Sequence, residues 1–470
     1  MRDPIVESEP QPKPDAPPDA KWSTRDLWIL ALVSAVAAIV RLVAIEQWSF
    51  DPVEVATLRA LTQPLSAGDD GFTANDVSMY PVAFLLLRWL LEHGVLPGYT
   101  EGWLRLPFAF VGTLAVPLLA LFARPRLGRA AAGVAALLLA VHPAHVAACQ
   151  TASPVVMAVT AAIAAGVISR ERANVWSWLL VGAAGLLHPI GWLLGLGMVS
   201  AAAPATGLLR FGAHLPRPVL LALALPALLL AFDVLGVVRI PVVVLAAFAV
   251  AVRPAIARLM ALAAVPLLAF GGLLWLCALP GAGSAVGAIV PIATLGAAAG
   301  CVHGYGLLRR SLQNAGRLAS LVGAAPAIIV VGESATALFL YFVVFQGGRA
   351  PWRDLSRAAF AAMRAGGELH VVAQSGHDVL RGYLRPSHWR DPAQDRHPGR
   401  VVEALDVDRI DAQLQDPFVL LALTGDEWRA LREGAASAEL LAQFRLLRLV
   451  PCEQPDGDAT LYLLQRPPHD

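Results

Sequence analysis

Apolar runs of about 20 residues recur along this chain, and a run of that length matches the hydrocarbon thickness of a bilayer. They lie at roughly 26–47, 103–123, 130–149, 153–169, 218–237, 259–279, 284–308 and 322–346, with two more sharing 175–208 and a short one at 241–252. That repetition predicts an all-α polytopic membrane bundle of about 11 transmembrane helices. The composition agrees. Of 470 residues, 57% are hydrophobic and 15% charged, with a mean hydropathy of +0.61. Soluble domains sit at about 45–50% and about 25%.

Arginine sorts the runs into an orientation. Lysine is nearly absent (Lys13 and Lys21), so arginine carries the positive charge. Lys21 and Arg25 precede the first run. Arg124, Arg126 and Arg129, then Arg170 and Arg172, Arg210 and Arg217, Arg253 and Arg258, and Arg309, Arg310 and Arg317 fall in alternate connections. Cytoplasmic loops carry this excess, so a count of eleven puts the N-terminus and nearly every cluster inside. The expected organisation is a disordered cytoplasmic tail over 1–22, a transmembrane domain over 23–348 with an outer loop at 48–102, and an outer domain over 349–470. No cleavable signal peptide is expected at the start of the chain. Residues 81–95 are apolar but short and carry Arg88, Glu92 and His93, which predicts a helix lying in the interface.

The last part of the chain has another texture. Strand patterns at 369–373, 418–423 and 461–464 alternate with helical patterns at 426–434 and 438–447, which predicts a small α/β domain. Gly366-Gly367 precedes a strand instead of following one, so no phosphate loop is expected. The net charge of +1 says nothing about nucleic acid, and without a basic stripe with interleaved aromatics no nucleic-acid partner is expected. Cys149, Cys277, Cys301 and Cys452 show no metal spacing and read as free thiols.

Asp51 and Glu54 follow the first run directly, in Trp48-Ser49-Phe50-Asp51-Pro52-Val53-Glu54. Two carboxylates at the mouth of a bundle can move protons on a lipid-linked substrate; they can also be solvated loop acids at a helix exit. Within the runs, Glu333 reads as a proton relay or as a protonated packing partner, with Ser334 beside it. Asp233 and Arg239 read as an interfacial salt bridge. His142 and His145 lie three apart on one expected helix face, where a divalent metal is conceivable but lacks a third ligand at helical spacing.

The order of parts resembles the GT-C glycosyltransferases, in the bacterial branch with protein O-mannosyltransferases and aminoarabinose transferases. Arg41-Leu42 is similar to that family's Leu-Arg-Leu element, and Trp103-Leu104-Arg105-Leu106-Pro107-Phe108 to its Arg-Leu-Pro element. Leu127-Gly128-Arg129 is similar to its basic turn, and Pro351-Trp352-Arg353-Asp354-Leu355 to the lead-in of its outer domain. Gln150-Thr151-Ala152-Ser153-Pro154 stands where the family has Gln-Glu-Ala-Arg-Pro, and Val53-Glu54 where it has Asp-Glu.

The resemblance implies a multi-pass enzyme of the bacterial plasma membrane, taking a polyprenyl-phosphate sugar at the outer face. Asp51 or Glu54 would be the base on an acceptor hydroxyl, which attacks the anomeric carbon with inversion. The leaving phosphate needs cationic or donor help, for which Arg59, Arg88, Arg105 and His188 are candidates, and Gln150 would hold substrate or cap a helix end. Arg105 could instead snorkel at a helix start, and Arg88 could sit on a solvated face. The acceptor is open: a glycan, a lipid or a protein. A GT-C-like subunit without activity and a transporter are the rival classes.

Overall fold

The computed structural model describes residues 22–50, 54, 58, 61, 81–96, 100–169, 174–202, 282–311, 317–343, 350–366, 370–373, 379–380, 383, 402–404, 419–433, 441–454, 457–458 and 460–465. Expected spans at 218–237, 241–252 and 259–279, the Asp233–Arg239 pair and Cys277 lie outside these residues.

Helix α1 (Thr24–Leu42) begins at a capping box in which Ser23 accepts from the Asp26 amide and Asp26 accepts from the Ser23 amide. The Asp26 carboxylate also meets Arg129, and Arg124 at 3.8 Å, so the start of α1 is tied to the basic turn. After α2 (Pro81–Glu92), helix α3 (Glu101–Leu127) runs unbroken through Pro107, Pro117 and Pro125, a tolerance seen where neighbouring helices re-satisfy the backbone. Gly128, at φ +89°, turns the chain into α4 (Arg129–Val141).

The run expected as one span over 130–149 is broken. Helix α4 stops at Val141, and α5 (Pro143–Cys149) leaves at 58° to it. Pro143 has no amide to give the carbonyl four residues back, and His142 is extended. His142 and His145 therefore sit on either side of a bend and not along one straight helix. Helix α6 (Pro154–Ile168) opens on a proline at its first turn. Helices α7 (Val175–Leu187) and α8 (Pro189–Ala202) form a tight hairpin broken at His188-Pro189, as the sequence predicts. A Cβ at Gly191 would strike the Ala184 carbonyl and one at Gly185 would strike the Trp192 ring, so glycines set the spacing of the hairpin. Helices α9 (Ala282–Ser311) and α10 (Arg317–Val343) complete the described bundle.

This is a membrane protein by its helices. Among the described residues, Glu101–Leu127, Val290–Leu307 and Ala324–Val343 are long and apolar enough to cross a bilayer, and the bent pair α4–α5 makes a fourth if it counts as one span. Helix α2 has 12 residues, too short to cross, and exposes Leu85, Leu86 and Trp89 while burying Ala83 and Leu87.

Helix α11 (Trp352–Gly366) leads into a five-stranded sheet of β1 (His370–Ala373), β2 (Val402–Ala404), β3 (Val419–Thr424), β4 (Arg445–Val450) and β7 (Leu461–Gln465). Helix α12 (Gly425–Glu433) follows β3, and β5 (Glu453–Gln454) with β6 (Gly457–Asp458) makes a small hairpin. The sheet order is β2-β1-β3-β7-β4, parallel through β2, β1 and β3 and antiparallel through β7 and β4. Alternate residues face opposite ways. Val371, Ala373, Leu420, Ala422, Leu461 and Leu463 pack in the cluster that holds α11, and Val372, Leu421, Leu423 and Leu464 in the cluster beside α12. The helix expected over 438–447 is not formed at its end: 445–447 belong to edge strand β4, where pairing to β7 outweighs local helix preference.

Candidate functional site

Glu54, the start of α3 and the turn after α5 meet in one buried cluster. Arg105 and Glu54 are fully buried and face each other in a bidentate pair, with Nε to Oε1 at 2.7 Å and Nη2 to Oε2 at 2.8 Å. Arg105 donates its other protons to the carbonyls of Ile45 (2.8 Å), Trp48 (3.1 Å) and Ser49 (2.9 Å). The Ala152 amide donates to Glu54 Oε1 at 3.1 Å. A buried ion pair is stable only when its remaining donors and acceptors are satisfied, and here they are. Arg105 does not snorkel; it holds the segment that leads into Asp51.

Gln150 lies in the next layer. Its amide donates to the carbonyls of Arg41 (3.1 Å) and Val43 (2.8 Å), and its carbonyl oxygen accepts from the Tyr341 hydroxyl at 3.4 Å. These are carbonyls that the end of α1 cannot satisfy itself, so Gln150 caps α1 and not its own helix. Arg41 does the converse for the bend in the expected third span. Its guanidinium donates to the carbonyls of Leu139 (3.2 Å) and Ala140 (3.2 Å), where the break at Pro143 has removed the helical donors. It also donates to Ala37 O (2.9 Å), His145 Nδ1 (2.7 Å) and Cys149 Sγ (3.4 Å). Because arginine can only donate, Nδ1 of His145 accepts and Nε2 carries the proton.

Arg353 and Tyr383 hold residues 46–50 from the C-terminal part of the chain. Arg353 donates from its backbone to Ser49 Oγ (2.9 Å) and from its guanidinium to the carbonyls of Glu46 (2.6 Å) and Gln47 (2.7 Å). The Tyr383 hydroxyl accepts from the Phe50 amide (2.8 Å) and donates to Glu101 Oε1 (2.7 Å), with its ring stacked on Phe50. Burial, and then the Glu101 carboxylate, push the Tyr383 phenol far above its ordinary value, so it stays a neutral donor. Phe50, Leu104, Phe108 and Met157 share one hydrophobic cluster with Trp352, Leu355, Val371 and Leu420.

The remaining candidates are dispersed. Arg88 is exposed and pairs with Glu92 one turn on, at 2.7 Å. His188 is buried at the tip of the α7–α8 hairpin, where Nδ1 accepts from the Ile190 amide at 3.1 Å. Asp51 and Arg59 lie outside the described residues, between Phe50 and Leu61, which are both buried in the shared cluster. Cys149, Cys301 and Cys452 are buried. Among the described residues no three metal-ligating side chains gather. Arg353 stood in a quoted element without a role, and Tyr383 carried no sequence signal, because its partners are 282 and 333 residues away.

No family model and no curated protein matches the sequence. Among solved structures, the chain is similar to ArnT from Cupriavidus metallidurans in the apo state, at 17% identity and a TM-score of 0.49, over 94% of this chain and 98% of that one. It is similar to the same protein bound to undecaprenyl phosphate, at 17% identity and 0.47, over 93% and 97%. It is also similar to the oligosaccharyltransferase AglB from Archaeoglobus fulgidus in complex with an inhibitory peptide and a dolichol-phosphate, at 11% identity and 0.41, over 89% and 71%.

Proposed function

We propose that the chain is a GT-C membrane glycosyltransferase that moves a sugar from a polyprenyl-phosphate donor to an acceptor hydroxyl at the outer face of a bacterial plasma membrane. One observation carries this reading. Two sequence elements that resemble the family, at Arg105 and Arg353, meet on the short segment that precedes Asp51, and a third borders it, through Gln150 at Arg41 and Ala152 at Glu54. A bundle of about eleven spans with a cytoplasmic N-terminus and an outer domain over 349–470 fits the arginine bias of the connections.

The two carboxylates then divide the work. Both oxygens of Glu54 are held by Arg105, and one also accepts from Ala152, so Glu54 anchors the loop. Asp51 is the base. It takes the proton of the acceptor hydroxyl as the oxygen attacks the anomeric carbon; the bond from that carbon to the phosphate oxygen breaks, and the centre inverts. Arg59 and Arg88 are the cations for the departing phosphate; the pair of Arg88 with Glu92 is solvent-exposed and weak enough to exchange. His188 is a third donor at the same face.

A second reading, a GT-C-like subunit without activity, is favoured by the engagement of Glu54 and by Thr151 and Ser153 at positions where the family has Glu and Arg. Sugar transfer from radiolabelled polyprenyl-phosphate hexose or pentose in membranes tests both. Loss of about 100-fold or more with Asp51→Asn, in protein that still inserts, establishes the enzyme. No transfer by the wild type from any donor makes the inactive subunit the better reading.

A further inference from the structure

At the arginine-rich face, opposite the acidic loop, a cavity of about 140 Å³ opens between the end of α3 and the last turns of α9. It is lined by Leu127, Val302, His303, Gly306, Leu307 and Arg310. Its depth is set by the helices. The apolar stretches Glu101–Leu127 and Val290–Leu307 both end at its wall, which is where the hydrocarbon core gives way to headgroups. His303, Gly306, Leu307 and Arg310 are spaced three, one and three apart, so they share one helix face. Gly306 leaves the cavity open: a Cβ there would meet nothing within 4 Å.

The charge at this face is unevenly committed. Arg124 and Arg129 reach Asp26, and Arg126 is spent on the carbonyls of Gly166 (3.4 Å) and Ser169 (3.1 Å). Arg310 makes no ion pair among the described residues. Helix C-terminal carbonyls disfavour an anion, so a negative ligand here depends on the guanidinium and the imidazole. The apolar part of the lining is Leu127, Ala299, Val302 and Leu307, which suits an acyl chain.

We propose that this cavity binds the phosphate group of an anionic membrane lipid, with Arg310 and His303 as its donors and the Leu127–Val302 wall beside its acyl chains. A basic pocket between spans at the headgroup level is the chemistry that holds such lipids. Inorganic phosphate shares the headgroup chemistry but would leave the apolar wall uncovered.

The test uses the full chain in neutral detergent, with thermal unfolding and intact-complex mass spectrometry as readouts. The probes are phosphatidylglycerol, phosphatidylcholine and inorganic phosphate. Phosphatidylglycerol is expected to raise the unfolding midpoint and remain bound, and phosphatidylcholine to do neither. Arg310→Gln is expected to weaken phosphatidylglycerol about tenfold, the worth of one charge-assisted hydrogen bond. Gly306→Leu, which fills the cavity and leaves every charge in place, is expected to abolish binding. Equal effects of the two lipids on the wild type overturn the proposal, as does undiminished binding in both variants. A full shift from inorganic phosphate alone overturns the lipid as the source.

Discussion

Arg105 and Glu54 are 51 residues apart and form a fully buried, bidentate pair at 2.7 and 2.8 Å, to which the Ala152 amide adds a third bond. Removing one partner strands the other charge. Glu54→Leu or Arg105→Met alone is expected to cost about 3–5 kcal/mol, read as a lowered unfolding midpoint in detergent. The double change Glu54→Leu with Arg105→Met removes both charges and is expected to recover part of that loss. A double variant as unstable as the sum of the single changes would show that the two side chains do not act as a pair.

Arg41→Met tests the repair of the bend between α4 and α5. The substitution keeps an unbranched apolar stem and withdraws the donors from Leu139 O and Ala140 O. A stranded carbonyl away from water costs several kcal/mol, so the expected loss is about 3 kcal/mol or more. Arg41→Lys, with three donors in place of five, is expected to fall between. Unchanged stability of Arg41→Met would mean that other groups already satisfy these carbonyls.

Tyr383→Phe keeps the ring on Phe50 and removes the hydroxyl. The Phe50 amide then loses its acceptor and Glu101 its donor, an expected cost of about 1–3 kcal/mol. Hydrogen exchange over residues 44–50 should speed up in the variant while exchange in α6 stays as it was. The sign with pH follows from the raised folded-state value. The contribution is complete below the unfolded phenol value of about 10 and declines as the pH rises past it, because the unfolded chain then loses a proton that the folded chain keeps. Tyr383→Phe should lack that decline.

Two glycines on the bundle helices should answer alanine in opposite ways. A Cβ at Gly112 would collide with Cys149 Sγ and press on Val156, so Gly112→Ala is expected to cost about 1–3 kcal/mol, and Cys149→Ala in the same chain to relieve most of it. Gly133 is exposed and has nothing within 4 Å of the added carbon, so Gly133→Ala is expected to gain about 0.4–1 kcal/mol. Unfolding midpoints of the three variants decide it, and a stable Gly112→Ala would sink the packing argument.

What the residues disclose on first reading depends on how local the cause is. The hairpin break at His188-Pro189, the short helix near Arg88 and strands β1, β3 and β7 announce themselves through proline, amphipathic and alternating patterns. The bend at His142-Pro143 carried the same proline signal, yet the apolar run on either side masked it. Strand β4 was hidden because Leu446 and Leu447 read equally well as one side of a helix. In the site, the types Glu54, Arg105 and Gln150 were legible as important. That Glu54 and Arg105 satisfy each other, and that Gln150 serves the end of another helix, depends on contacts across 51 and about 109 residues, which no window along the chain can register.

The cluster that joins Phe50, Leu104 and Phe108 to Trp352, Val371 and Leu420 has a consequence for how such a chain can change over generations. A stop codon ahead of residue 350 would not release a working bundle minus an accessory; it would leave a raw apolar face where the two parts had fused. Truncation there would uncover Phe50, Leu104 and Phe108 together. Selection then sees the C-terminal sheet and the membrane helices as one heritable object.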